Sequence, residues 1–222
     1  MIHFSLKIFL HMHKVYKLTF SANHKKNTIK GVVTMKLASH ELHELSELIA
    51  GCYNTISCMA SFINQAQDPE LKGLLQKHFP LHVQDYNLKV EFVQSQTTPD
   101  ITKFQPAKIN PVLESYTQAP VSEFPPATPR TEVQQHTDRE IATAYLINQK
   151  SSAKNYGNAS VECANPDLRT FLENAFLNSN HHAYDIWQYM TKKGYYPLMA
   201  APDQAIQTVA SIYQPVEQPS QI

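Results

Sequence analysis

The tripeptides Asp68-Pro69-Glu70 and Asn165-Pro166-Asp167 constrain this chain more than any other feature. Each ends one helix and starts another. The first residue offers a side-chain acceptor to free backbone amides, proline has its φ set for the first helical position, and the acid faces the positive end of the helix dipole. Both lie between long apolar-periodic segments. Leu42, Leu45, Ile49, Cys52, Ile56, Met59 and Ile63 recur at alternating spacings of 3 and 4, the seam of a bundle helix. This predicts a first helix over about 37–65, with Ser39 as N-cap and Glu41 and Glu44 in the opening turns. A second runs to about residue 95, with Leu71, Leu74 and Leu75 opening its apolar face and Val93 closing it. Pro80 inside it predicts a kink or a split. A third spans about 138–163 behind Thr137 or Asp138 as cap. A fourth spans about 167–193, with Leu168, Phe171, Leu172, Ala175, Ile186 and Met190 inward and Gly194 as its C-cap. The repeated helix–turn–helix unit suggests internal pseudo-symmetry.

Seven of the 14 prolines fall within 96–137, which predicts an extended connection with little regular structure. A loop of that length is unusual inside a compact domain. Two helical hairpins closing into one bundle remove the objection, because that topology needs one long connection. The expected fold is therefore all-α: a ferritin-like antiparallel four-helix bundle over 35–200, with a proline-rich crossover at 96–137. Residues 201–222 form a polar tail with a short helix near 203–213.

The 19 basic and 19 acidic residues cancel, so the whole chain makes no electrostatic case for nucleic acid or acidic membranes as partners. The balance is uneven along the chain. Residues 1–34 hold six lysines and no acid. The codons for Lys30-Gly31-Val32 can form a purine-rich ribosome-binding site just before Met35, which makes Met35 the expected start and residues 1–34 a non-native or disordered extension. No apolar run reaches the roughly 20 residues that span a bilayer. Cys52, Cys58 and Cys163 make neither a disulfide framework nor a paired-cysteine zinc motif.

Turning each helix by 100° per residue brings several polar groups onto the inward stripe. These are Glu41 on the first helix and His78, His82, Asp85 and Lys89 on the second. Asn148, Ser152 and Asn155 on the third and His182 on the fourth complete the set. Counting outward from the turns sets Cys52 opposite His82 and Asn148 opposite His182. His78 and His82 at i, i+4, with Asp85 a turn on and His182 across, are the candidate metal ligands. A paired-iron centre needs a Glu on each of two helices and Glu-x-x-His on the other two. The chain has no Glu-x-x-His, and the third helix has no carboxylate at its middle. A hydrogen-bonded network that sets helix register is therefore expected, with no cofactor and no metal. His40-Glu41-His43-Glu44 departs from His-Glu-x-x-His, and its histidines point outward. Cys58 is the most accessible thiol, without a visible base partner. His181 and His182 divide into one exposed and one buried ring. No catalytic residues emerge.

The residues now assembled resemble the spore coat protein F family. On the first two helices the likeness lies in His40-Glu41-Leu42-His43-Glu44-Leu45 and Asp68-Pro69-Glu70-Leu71. On the last two it lies in Asp138-Arg139-Glu140, Ala153-Lys154-Asn155-Tyr156, Pro166-Asp167-Leu168-Arg169 and Lys193-Gly194-Tyr195-Tyr196-Pro197. It covers about 37–95 and 138–200, and the proline-rich crossover and Gln-rich tail depart from it. The resemblance implies a ferritin-like bundle made during sporulation, placed in the spore coat, with other coat proteins or further copies of itself as partners. It implies no catalytic residues. The alternative is a ferritin-like metal-binding protein or oxidase with a degenerate site. Eleven tyrosines, including Tyr195, Tyr196 and Tyr213 in expected exposed positions, suit a cross-linked coat.

Overall fold

The computed structural model describes residues 37–95 and 97–217. The extension 1–34 and the expected start at Met35 lie outside the described residues. Five α-helices are present among those described: α1 Ser39–Gln65, α2 Pro69–Gln94, α3 Asp138–Glu162, α4 Pro166–Lys192 and α5 Asp203–Ile212. A 3-10 turn, Ile101–Lys103, is the only other helical segment among the described residues. The expected all-α bundle of two hairpins is borne out: α1 pairs with α2, α3 with α4, and the hairpins meet through α1–α3 and α2–α4.

The two Pro-centred turns behave as the sequence predicts. Asp68 accepts from the Glu70 amide at 2.8 Å, and Asn165 accepts from Asp167 and Leu168 at 3.0 and 3.2 Å. Each turn is also gripped by the other hairpin. Glu41, buried in the first turn of α1, accepts from the amides of Ala164 and Asn165 at 2.9 and 2.7 Å. Asp138, opening α3, accepts from Gln67 and Asp68 at 2.9 and 3.1 Å. This reciprocity gives the suggested pseudo-symmetry a physical form, and it runs α1 antiparallel to α3. Burial alone would raise the Glu41 pKa, but the amides of Ala38, Asn165 and Ala164 outweigh it and hold the carboxyl low.

The helix ends refine the expectations. Ala38, not Ser39, precedes α1, and Glu41 accepts its amide at 2.7 Å. Thr137 caps α3 and exchanges hydrogen bonds with Glu140. Pro80 does not split α2, which is continuous through it. Gly194 has φ 69°. The Tyr195 amide reaches Met190 and the Gly194 amide reaches Thr191, so the last carbonyls of α4 are satisfied. A Cβ at Gly194 would lie 2.6 Å from the Glu123 carbonyl, so the close crossover also demands glycine.

On α1 the buried stripe is Glu41, Leu45, Leu48, Cys52, Thr55 and Met59. Leu42 is 48% exposed, and Ile49, Ile56 and Ile63 are half-buried. Leu48 fits the 3–4 spacing as well as Ile49 does, and it is the one buried where α1 packs on α2 and α3. All six residues expected inward on α4 are buried. Two apolar clusters result. One gathers Leu45, Leu88, Phe92, Phe104 and Phe171, and the other Met59, Leu71, Tyr145, Ile186 and Tyr189. Each such side chain contributes roughly 1.5–3 kcal/mol on full burial.

The crossover is irregular, as expected, but it is not loose. Phe104 is fully buried, and Leu113 and Ala119 are nearly so. Polar side chains of α4 bind its backbone: Asn178 accepts from the Ala107 amide at 3.0 Å, and Gln188 accepts from Val112 at 2.7 Å and donates to Asn110 at 3.0 Å. His181 contacts the Ala107 carbonyl and is half-buried rather than exposed.

Candidate functional site

Between the two apolar clusters, α2, α3 and α4 bury a polar layer. As read from the sequence, His78, His82, Asp85, Lys89 and His182 all point inward and are at most 4% exposed. α3 differs from expectation. Asn155 is exposed and Asn148 and Ser152 half-buried, while Tyr145, Gln149 and Tyr156 face the core. The stripe lies about one residue round the helix from the one expected, because the two aromatic rings claim the interior. Tyr145 and Tyr156 were the missed members, and their spacing from Ile141 and Ala159 on one face was the available signal.

The two phenols divide the layer into two groups. Around Tyr145, the hydroxyl lies 3.1 Å from His78 Nδ1, 2.9 Å from His82 Nε2 and 3.5 Å from His182 Nδ1. His82 Nε2 and His182 Nδ1 are 3.2 Å apart. Asp185, also missed, sits 3.1 Å from His78 Nε2 and 3.1 Å from Lys77 Nζ. A carboxylate there requires the His78 proton on Nε2, which leaves Nδ1 to accept from the Tyr145 hydroxyl. Burial lowers the His78 pKa despite the pull of Asp185, pushes His82 down to about 4, and takes His182 well below the usual range. These rings are neutral. Burial also raises Tyr145, aided by the Asp185 charge.

Around Tyr156, the chemistry is ionic. Lys89 pairs with Asp85 at i, i+4, donates to the Tyr156 hydroxyl at 3.1 Å and lies 3.3 Å from Cys52 Sγ. Tyr156 donates to Asp85 at 2.7 Å, and the Cys52 thiol reaches the same carboxylate at 3.1 Å. Burial pushes the Cys52 thiol up to about 11, so it is no ready nucleophile. Two expected contacts are corrected: Cys52 meets Asp85 and Lys89, not His82, and Asn148 meets Thr55 at 3.1 Å, not His182. Facing helices are offset along their axes, which counting from the turns ignores.

Of the four candidate metal ligands, the three imidazoles come together around the Tyr145 hydroxyl and the carboxylate does not join them. Asp85 is drawn away to Lys89. His78 and His182 stack face to face, with ring centroids 3.8 Å apart and planes 14° apart. Two parallel rings cannot both aim in-plane lone pairs at one ion without turning. The point between the imidazoles holds the Tyr145 hydroxyl. Among the described residues, no three His, Cys, Asp or Glu side chains are grouped to hold a metal. What the arrangement can do is pair most of its buried polar atoms, all but Gln149 Oε1 and His182 Nε2, and set helix register. His40 and His43 lie on the surface, as expected. Cys58 is the least buried thiol and lines a cleft of about 150 Å³ with Met59, Phe62, Tyr145 and Asn148. Tyr213 is exposed, but Tyr195 and Tyr196 are half-buried against Arg139 and Lys150.

Residues 137–199 match the model of the Coat F domain, a span that contains α3, α4 and the Gly194 exit. Spore coat protein F-like protein YhcQ of Bacillus subtilis (strain 168) is 22% identical over 192 residues, covering 85% of this chain and 86% of that protein. A crystal structure of a candidate spore coat protein from Bacillus halodurans C-125 shares the fold, with a TM-score of 0.54 at 15% identity, covering 76% of this chain and 95% of that one. The resemblance read from the residues is borne out, and residues 137–199 are the part that matches the Coat F domain.

Proposed function

We propose that this chain is a structural or assembly component of the bacterial endospore coat, made in the mother cell during sporulation and acting without catalysis. The coincidence of the Coat F match with the α3–α4 hairpin carries the proposal. The likeness to YhcQ over most of both chains supports it. The interior supports a structural role, since its thiol is held protonated and its imidazoles are committed to one another and to Tyr145. The antiparallel helices with one long crossover support the ferritin-like reading, while the His78–His182 stack weighs against a degenerate metal oxidase. Other coat proteins and further copies of the chain are the partners this role requires. No helix of the described residues is long and apolar enough to cross a membrane.

A fluorescent fusion followed through sporulation tests the reading. Signal should gather around the forespore and remain with purified spores. Even signal throughout vegetative cells would defeat it and favour a cytoplasmic module that uses the proline-rich crossover as a ligand segment.

A further inference from the structure

Two surface features of this chain fit one another. The first is α5. Every described residue from 199 to 217 is exposed, and none of the helix is buried against the bundle. Ile206 and Val209 form one apolar face at helical spacing, with Ile212 beside it and Tyr213 just past the helix end; each is 55–74% exposed. A helix of 10 residues is marginal alone in water. Its apolar face therefore wants a cover.

The second feature is a groove of about 690 Å³ between the end of the crossover and the start of α3. Pro126, Pro129, Val133, Thr143 and Ala144 give it an apolar lining, and Arg139 stands on its wall. Arg139 is held by the carbonyls of Pro125 and Pro126 rather than by a carboxylate. Charge matches across the pair. Residues 201–217 carry Asp203 on the helix and Glu217 beyond it and no basic residue, whereas in the groove Arg130 pairs with the single acid Glu140, leaving Arg139 as the cation that no carboxylate offsets.

We propose that α5 of one copy docks its apolar face in this groove of a second copy. This is a helix-in-groove contact between two different surfaces of the same chain. Such contacts close when two copies exchange tails, and otherwise run on as an open chain or ring in which each added copy brings a free groove and a free tail. One contact of this size is weak, and repetition along an assembly gives it strength. The inference concerns how copies join and stands whether or not the protein proves to reside in the coat.

Sedimentation of the purified full chain over a range of concentrations tests it. Wild type should grow with concentration into dimers or larger species. Ile206→Asp, which spoils the tail, and Ala144→Arg, which fills the groove, should each be monomeric. Both positions are exposed, and unchanged circular-dichroism melts verify that the bundle is intact. Mixing the two variants is the decisive arm: one intact tail meets one intact groove, and the product should stop at a heterodimer. A wild type monomeric at every concentration would mean that the tail folds onto its own groove or onto nothing, and would overturn the proposal. A dimer that survives both substitutions would place self-association elsewhere and overturn it equally.

Discussion

Around Tyr156 the bundle buries an ammonium and a carboxylate together; around Tyr145, one turn away along α2, it buries three imidazoles without charge. Both groups are almost dry, and both hang on a phenol supplied by α3. The difference lies in what each group does with protons. Lys89 and Asp85 form an ion pair within one turn of α2, so opposite charges face each other in the interior. The imidazoles have one carboxylate in hydrogen-bond contact, Asp185, and it touches only His78; Asp85 acts on His82 from farther off, and burial outweighs both and strips their charge. The comparison shows that one interior can tolerate polar groups on two terms, by pairing charge or by giving it up, with a tyrosine hydroxyl at the centre in either case; among the imidazoles His182 Nε2 is still left without a partner.

Removing half of the ionic pair should produce the largest effect. Lys89→Met leaves Asp85 with only Tyr156 and Cys52, and should cost about 3–5 kcal/mol in urea unfolding. Lys89→Met combined with Asp85→Leu should recover most of that loss. A single-variant cost near zero would mean that the pair is not buried as described. A smaller loss, about 1–3 kcal/mol, should follow Tyr145→Phe, which takes the shared hydroxyl from His78, His82 and His182. Equal costs for Tyr145→Phe and Lys89→Met would erase the distinction between the two groups.

Acid should separate them most gently. The groups facing His82 are His78, His182, Tyr145, Asp85 and Lys89, and burial dominates, placing its pKa at about 4. Below about 6.5 the unfolded chain binds a proton that folded His82 refuses, so stability is whole above that value and falls as pH drops toward 4. In chelator-treated protein, going from pH 7 to 5.5 should cost about 1 kcal/mol through His82. His82→Gln should flatten that part of the profile; an unchanged slope would show that His82 is not held neutral.

Much of this was open to reading before any coordinates. The Pro-centred turns announced four helices, because capping and proline geometry act within a few residues. The inward direction of His78, His82, Asp85, Lys89 and His182 followed from helical phase against neighbouring leucines. Phase failed on α3, where small and polar residues blur the stripe and two tyrosines settle it by size. It also failed to level one helix against another. Cys52 was set against His82 but meets Asp85, because the axial offset between packed helices is a property of the interface and leaves no mark on either strand of sequence.

Local chemistry thus decided where helices begin, end and turn inward, since caps, dipoles and 3.6-residue periodicity depend only on near neighbours. Packing decided the rest. It set which imidazole stacks on which, sent Asp85 to Lys89 instead of to the histidines, clamped the proline-rich crossover onto Asn178 and Gln188, and left α5 uncovered. Those outcomes join residues far apart in the chain, and their energies depend on distances that exist only after the hairpins have closed.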